Sequence, residues 1–122
     1  MIVIKRKTYE LLLSHNPCEI FDYLQVDEIH GLNKKDCELH LNNTKQAYIA
    51  GWCNLYPNNK DMYVFINLSR CTDVIHTAGL VFHELTHLSF WLHDYDVNKE
   101  EEIITYAENE SYEVIKIIYN CL

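Results

Sequence analysis

The chain has 122 residues, is 48% hydrophobic and 23% charged, and carries a formal net charge of -8 with a pI near 5.2. That length fits one domain with one modest core, and the acidic balance argues against the basic face that a nucleic-acid partner requires. No stretch matches a signal peptide or a membrane span, and five cysteines without a Cys-x-x-Cys read as free thiols, so a cytoplasmic protein with no membrane partner is expected.

Met1 to Ile4 is β-branched and apolar, which predicts a short strand or the lead into a helix. Thr8 to Ser14 reads as a helix that Asn16-Pro17 breaks. Pro17 suits the first turn of a second helix from Cys18 to about Val26, with Ile20, Phe21 and Leu24 at helical spacing. These two helices are expected to pack behind a sheet. His30-Gly31-Leu32-Asn33 reads as a turn. Cys37 to Leu41 alternates polar and apolar, as a half-buried strand does, and Asn42-Asn43 turns the chain. Gln46 to Tyr56 predicts the next strand, with Gly51 marking a bulge. After the loop signal of residues 57–61, Met62 to Leu68 is the clearest strand in the chain. The expected sheet is an antiparallel meander of three or four strands.

Thr72 or Asp73 is the expected cap of a helix from about Val74 through Leu92. Its predicted apolar face holds Ile75, Ala78, Leu80, Phe82, Leu85 and Leu88, with Trp91 near the end. Gly79 either lets the sheet approach or is a tolerated defect. His93 to Asn98 closes the helix. A final helix is expected from Lys99 or Glu100 to about Asn120, packed through Ile104, Ala107, Ser111, Val114, Ile115 and Ile118. The fold class that follows is α+β, a small antiparallel or mixed sheet against two long helices.

The chemistry concentrates in His83-Glu84-Leu85-Thr86-His87, a His-Glu-x-x-His in apolar surroundings. In a helix, residues four apart share a face, so His83 and His87 present two imidazole nitrogens to one cation. Imidazole suits zinc, and a catalytic zinc takes three protein ligands and leaves the fourth position to water. Glu84, about 100° round the helix, falls beside that position as a general base. His15, His30, His40 and His76 read as ordinary surface or core histidines.

From Met62 to Ile118 the sequence resembles the zincin metallopeptidases, most closely the small single-domain zincin-like proteins of bacteria and phages. The resemblance implies one zincin-like domain over residues 1–122, Zn2+ as cofactor, and an open, shallow cleft. It offers two kinds of third ligand. His93 falls at the metzincin spacing, yet Phe90 stands where that pattern needs glycine, and both methionines, Met1 and Met62, lie upstream of the motif. A glutamate on the next helix fits the glutamate-zincin pattern better. Glu102 is the expected ligand, with Glu101 the runner-up and Glu108 third. These acidic residues also suit the first turn of a helix. By the same resemblance, Tyr63 to Leu68 is expected to be the edge strand to which an extended peptide substrate adds. Tyr106 or His93 would steady the oxyanion.

The reading that follows is a zinc-dependent peptidase, with His83, His87 and Glu102 on the metal and Glu84 as base. The alternative is a zinc-binding interaction or host-modulating protein, weak or inactive in catalysis, on the same scaffold. A third reading, a chance motif in a core helix, leaves two histidines and a glutamate to be buried without a shared partner, which is costly.

Overall fold

The computed structural model describes residues 1–29, 31–42 and 50–121. His30, Asn43, residues 46–49 of the expected strand and Leu122 lie outside them. The described chain is an α+β fold built as three layers around a mixed four-stranded sheet. The strands are β1 (Ile2–Lys5), β2 (Tyr9–Ser14), β5 (Gly51–Leu55) and β6 (Met62–Asn67), in spatial order β1-β2-β6-β5. A two-residue pair, β3 (Glu28–Ile29) with β4 (Leu32–Asn33), forms a small separate hairpin.

Tyr9–Ser14 is a strand, where a helix was expected. It lies between β1, antiparallel, and β6, parallel. Leu11, Leu12 and Leu13 are all buried because both faces of this central strand are covered. Such a strand shows an unbroken apolar run with no period to distinguish it from a helix. The parallel β2–β6 pairing also replaces the expected meander.

The correction at Cys37–Leu41 is the reverse, for these residues belong to helix α2 (Lys34–Asn42). Asn33 starts that helix by accepting the Asp36 N–H through Oδ1 at 2.7 Å, the usual work of an N-cap. The short helix after Pro17, α1 (Glu19–Leu24), forms as expected. At Gly31 the chain turns with φ +80°, a conformation that favours glycine.

Two cores flank the sheet. On one face Leu12, Tyr63 and Phe65 pack against Ile20 and Phe21 of α1 and Cys37 of α2. On the other, Leu11, Leu13, Val64 and Ile66 meet two long helices, α3 (Val74–Leu92) and α4 (Glu100–Cys121). All six residues of β6 are buried. Each large apolar side chain so covered contributes about 1.5–3 kcal/mol.

Asp73 caps α3, its carboxylate accepting the His76 N–H at 2.8 Å. The buried stripe of α3 is Thr77, Val81, Glu84, Leu85, Leu88 and Ser89. Ile75 and Phe82, expected on the apolar face, are exposed. Gly79 is exposed, and a Cβ there would meet nothing within 4 Å, so it serves no close approach to the sheet. In α4, Ile103 is buried where Ile104 was expected, and Ala107, Ser111, Val114 and Ile118 pack as the spacing predicts. Among the described residues no helix is long and apolar enough to cross a membrane.

One ion pair ties α4 to the sheet edge. Arg6 donates from Nε to Glu110 Oε1 at 2.9 Å and from Nη2 to Oε2 at 3.2 Å, and Tyr9 Oη donates to Oε1 at 3.0 Å. Burial alone would raise the Glu110 carboxyl, but the bonds from Arg6 and Tyr9 outweigh it and hold its pKa below the ordinary value. A depressed carboxylate stabilises the fold above its unfolded pKa and loses that contribution as pH falls through its folded pKa. Glu110→Gln is therefore expected to lower stability at pH 7 by about 1–2 kcal/mol. Urea unfolding of wild type and variant at pH 7 and pH 3.5 should show the difference shrinking at the lower pH.

Candidate functional site

Helix α3 carries the motif with its three polar side chains divided between two environments. Packing on the sheet turns Glu84 inward, leaving its side chain 8% exposed, while His83 stays 65% exposed. His87 is also exposed. The Nε2 atoms of His83 and His87 stand 3.3 Å apart, the rings edge to face with centroids at 4.8 Å. Two nitrogens about 2.0–2.1 Å from one tetrahedral zinc are separated by about 3.3 Å, so the pair has the spacing of two ligands. The same spacing suits an N–H···N hydrogen bond when one ring holds its proton on Nε2.

Glu84 Oε1 lies 3.9 Å from His83 Nε2. Burial raises the Glu84 pKa above the ordinary carboxylate range, and the neighbouring His83 charge opposes that shift only in part. Gly51 of β5 lies beneath this side chain. A Cβ built there would stand 3.5 Å from Glu84 Cγ and 2.6 Å from the Phe65 carbonyl oxygen. Gly51 is thus required by close approach, and its regular pairing with Ile66 rules out the expected bulge.

Glu84 and His87 line a cleft of about 480 Å³ between α3 and β5. The β5 wall runs from Gly51 to Leu55, with Met62, Trp91 and Tyr95 completing it. Cys53 lies near Glu84, and burial, with a smaller effect of the Glu84 charge, pushes its thiol up to about 12. Tyr63–Leu68 is not an edge, because β6 is hydrogen-bonded on both sides by β2 and β5. The cleft-side edge strand is β5, which pairs only with β6 among the described residues.

Among the described residues no third His, Cys, Asp or Glu joins His83 and His87 in a group that could hold a metal. Glu102 is exposed in the first turn of α4, as are Glu100 and Glu101, and Glu108 is exposed one to two turns later. Ser89 Oγ donates to the Ile103 carbonyl at 2.8 Å, which fixes this end of α4 against the Ser89 flank of α3. Ser89 and His87 point about 160° apart around the helix axis. The structure therefore does not bring Glu102 to the histidine pair.

The other candidates are also placed elsewhere. His93 caps α3 with Nδ1 2.8 Å from the Ser89 carbonyl, and its ring centroid is 6.2 Å from that of Tyr106. The Tyr106 hydroxyl is bonded to Thr8 Oγ1 at 2.8 Å. Neither lines the cleft. His76 Nδ1 accepts the Thr72 N–H at 3.2 Å, as a local cap does. The tyrosine on the cleft is Tyr95, which sequence reasoning missed. Asp94 and Tyr95 turn the chain off α3 with φ of 54° and 55°, a left-handed pair that costs of order 1–3 kcal/mol per non-glycine residue. Trp91, expected at the end of the apolar face, lines the cleft instead, one turn after His87 on the same face.

Compared with known proteins, the chain matches no family, and no curated protein or solved structure is significantly similar to it.

A carboxyl whose folded pKa is raised binds a proton that the unfolded chain has released, so stability falls as pH rises above the unfolded value of about 4.3. Glu84→Gln removes that charge while keeping the shape. It is expected to raise the melting temperature of the metal-free protein by roughly 2–5 °C at pH 7, and to have little effect near pH 4. Thermal melts of both proteins in chelator across that range measure it.

Proposed function

We propose that this chain is a metal-dependent hydrolase of peptide-type bonds, of zincin-like mechanism, with His83 and His87 as zinc ligands and Glu84 as general base. One observation carries the reading. Two imidazole nitrogens at ligand spacing stand beside a buried carboxylate, and that carboxylate and His87 line a cleft walled by an edge strand. Zinc bound at such a pair lowers the pKa of its water to about 7.

The protein's own groups then have separate tasks. Glu84, whose burial raises its affinity for a proton, would as the carboxylate take a proton from the attacking water and pass it to the leaving amine. The outer edge of β5 offers backbone donors and acceptors to an extended substrate, which moves the expected pairing from Tyr63–Leu68 to Gly51–Leu55. Tyr95 takes the place expected of Tyr106 or His93, its hydroxyl donating to the developing oxyanion. The histidine pair is the part of the ligand set that the geometry supports, while Glu102 rests on the resemblance alone. The placement of α4 on the far flank of α3 favours a second reading, a zinc-binding interaction protein in which Glu84 does no chemistry.

Zinc titration against a competing chelator tests the ligands. His87→Ala is expected to weaken binding by more than about 100-fold, beyond the loss typical of an outer-shell partner. Glu102→Ala should remain near wild type. An equal loss in Glu102→Ala would bring the first turn of α4 into the site. Mass spectrometry of a mixed peptide pool, incubated with the zinc-loaded protein, tests the chemistry. Cleavage by wild type, abolished in Glu84→Gln at unchanged zinc content, is the expected result. Tyr95→Phe should lower kcat by about 10–100-fold with little change in KM. Zinc binding without any cleavage would favour the second reading.

A further inference from the structure

The face of the sheet opposite the cleft holds a pair of buried thiols, Cys18 and Cys37. Cys18 immediately precedes α1, and Cys37 lies one turn into α2. Both are buried in the same core with Ile20, Phe21 and Phe65. Their sulfurs are 3.4 Å apart, Cys18 donating to Cys37. Two further contacts hold the thiols in place. The Cys18 N–H is bonded to Asn16 Oδ1 at 3.0 Å, and Lys34 of α2 is paired with Asp22 of α1. The bland account is that both thiols are small apolar core residues. That account explains their burial but does not require the two sulfurs, 19 positions apart in sequence, to touch.

We propose that Cys18 and Cys37 are a disulfide-forming pair in the folded protein, oxidised by exchange with a low-molecular-weight disulfide. A disulfide bond is about 2.05 Å long, so closure from 3.4 Å takes little more than an ångström of movement by two side chains. The Cys18 sulfur, the more exposed of the two at 7% against 2%, attacks the small disulfide and releases one small thiolate. The Cys37 sulfur then attacks the mixed disulfide and releases the second. The two protein thiols lose two electrons and two protons in total, and the oxidant leaves as two small thiols. Burial raises both protein thiols, Cys18 to about 12, and exchange needs the thiolate, so the reaction is slow and paced by local opening of α1 against α2. The product staples α1 to α2, the helix that precedes the cleft strand β5 in the chain. None of this depends on the metal reading.

Cys53 and Cys71 are set apart from the pair. Cys53 packs on the opposite core, and Cys71 Sγ bonds to the Asn67 carbonyl at 3.6 Å. The test is incubation of the native full chain with oxidised glutathione, followed by non-reducing peptide mapping and thermal melts. The expected result is loss of the mass of two hydrogens, a cross-linked peptide joining Cys18 to Cys37, and a melting temperature higher by roughly 5–10 °C. Cys18→Ser and Cys37→Ser should each lose the cross-link, and the gain in melting temperature with it. Glutathione retained on either cysteine, a cross-link to another cysteine, or a Cys18–Cys37 link that forms only in denaturant would overturn the proposal.

Discussion

The structure turns on a carboxylate placed where the contact between α3 and the sheet would otherwise hold an apolar side chain. Glu84 shares its buried stripe with Val81, Leu85 and Leu88, and its charged form is disfavoured there. The surrounding arrangement follows from accommodating it. Gly51 gives up its side chain so that β5 can pass beneath. The cleft between β5 and α3 keeps one side of the carboxylate in reach of water. The two histidines emerge on the solvent side because four residues make about one helical turn. A stable core alone would be better served by an apolar residue at position 84, which is why we read the site as functional.

The sheet order decides what this site faces. Pairing β2 parallel to β6 places β6 in the centre and, among the described residues, leaves β5 outermost on the α3 side. The Arg6–Glu110–Tyr9 cluster anchors α4 toward the opposite side, on β2 and the turn that joins it to β1. The two long helices thus divide the sheet. One flank of α3 seals against α4 through Ser89 and Ile103, and the other stays open over β5. A cleft therefore forms between α3 and β5, with aromatic residues Trp91 and Tyr95 in its lining.

The parts legible in the sequence are those governed by local rules. The span of α3, its cap at one of Thr72 and Asp73, and the pairing of His83 with His87 follow from helical period and capping alone, and β6 and α4 were strongly patterned. The errors arose where tertiary burial overrode local pattern. Leu11-Leu12-Leu13 is apolar on every face because β2 is covered on both sides, so it carries no period. Five alternating residues at Cys37–Leu41 are too few to outweigh the Asn33 cap that starts a helix there. The position of Glu102 relative to the histidine pair and the identity of the edge strand were beyond local reading for a shared reason. Each depends on which flank of α3 receives α4 and which strand pairs with β2, contacts made across tens of residues.

The central claim is that His83 and His87 hold one zinc ion beside Glu84. Anomalous diffraction at the zinc edge from zinc-soaked crystals tests it most directly. The account predicts a single strong peak about 2.0–2.1 Å from both Nε2 atoms, with the Glu84 carboxylate outside bonding distance but within reach of a bound water. A peak that bypasses this pair, for instance one between Cys18 and Cys37, or the absence of any peak in crystals that bind zinc nowhere, would contradict it.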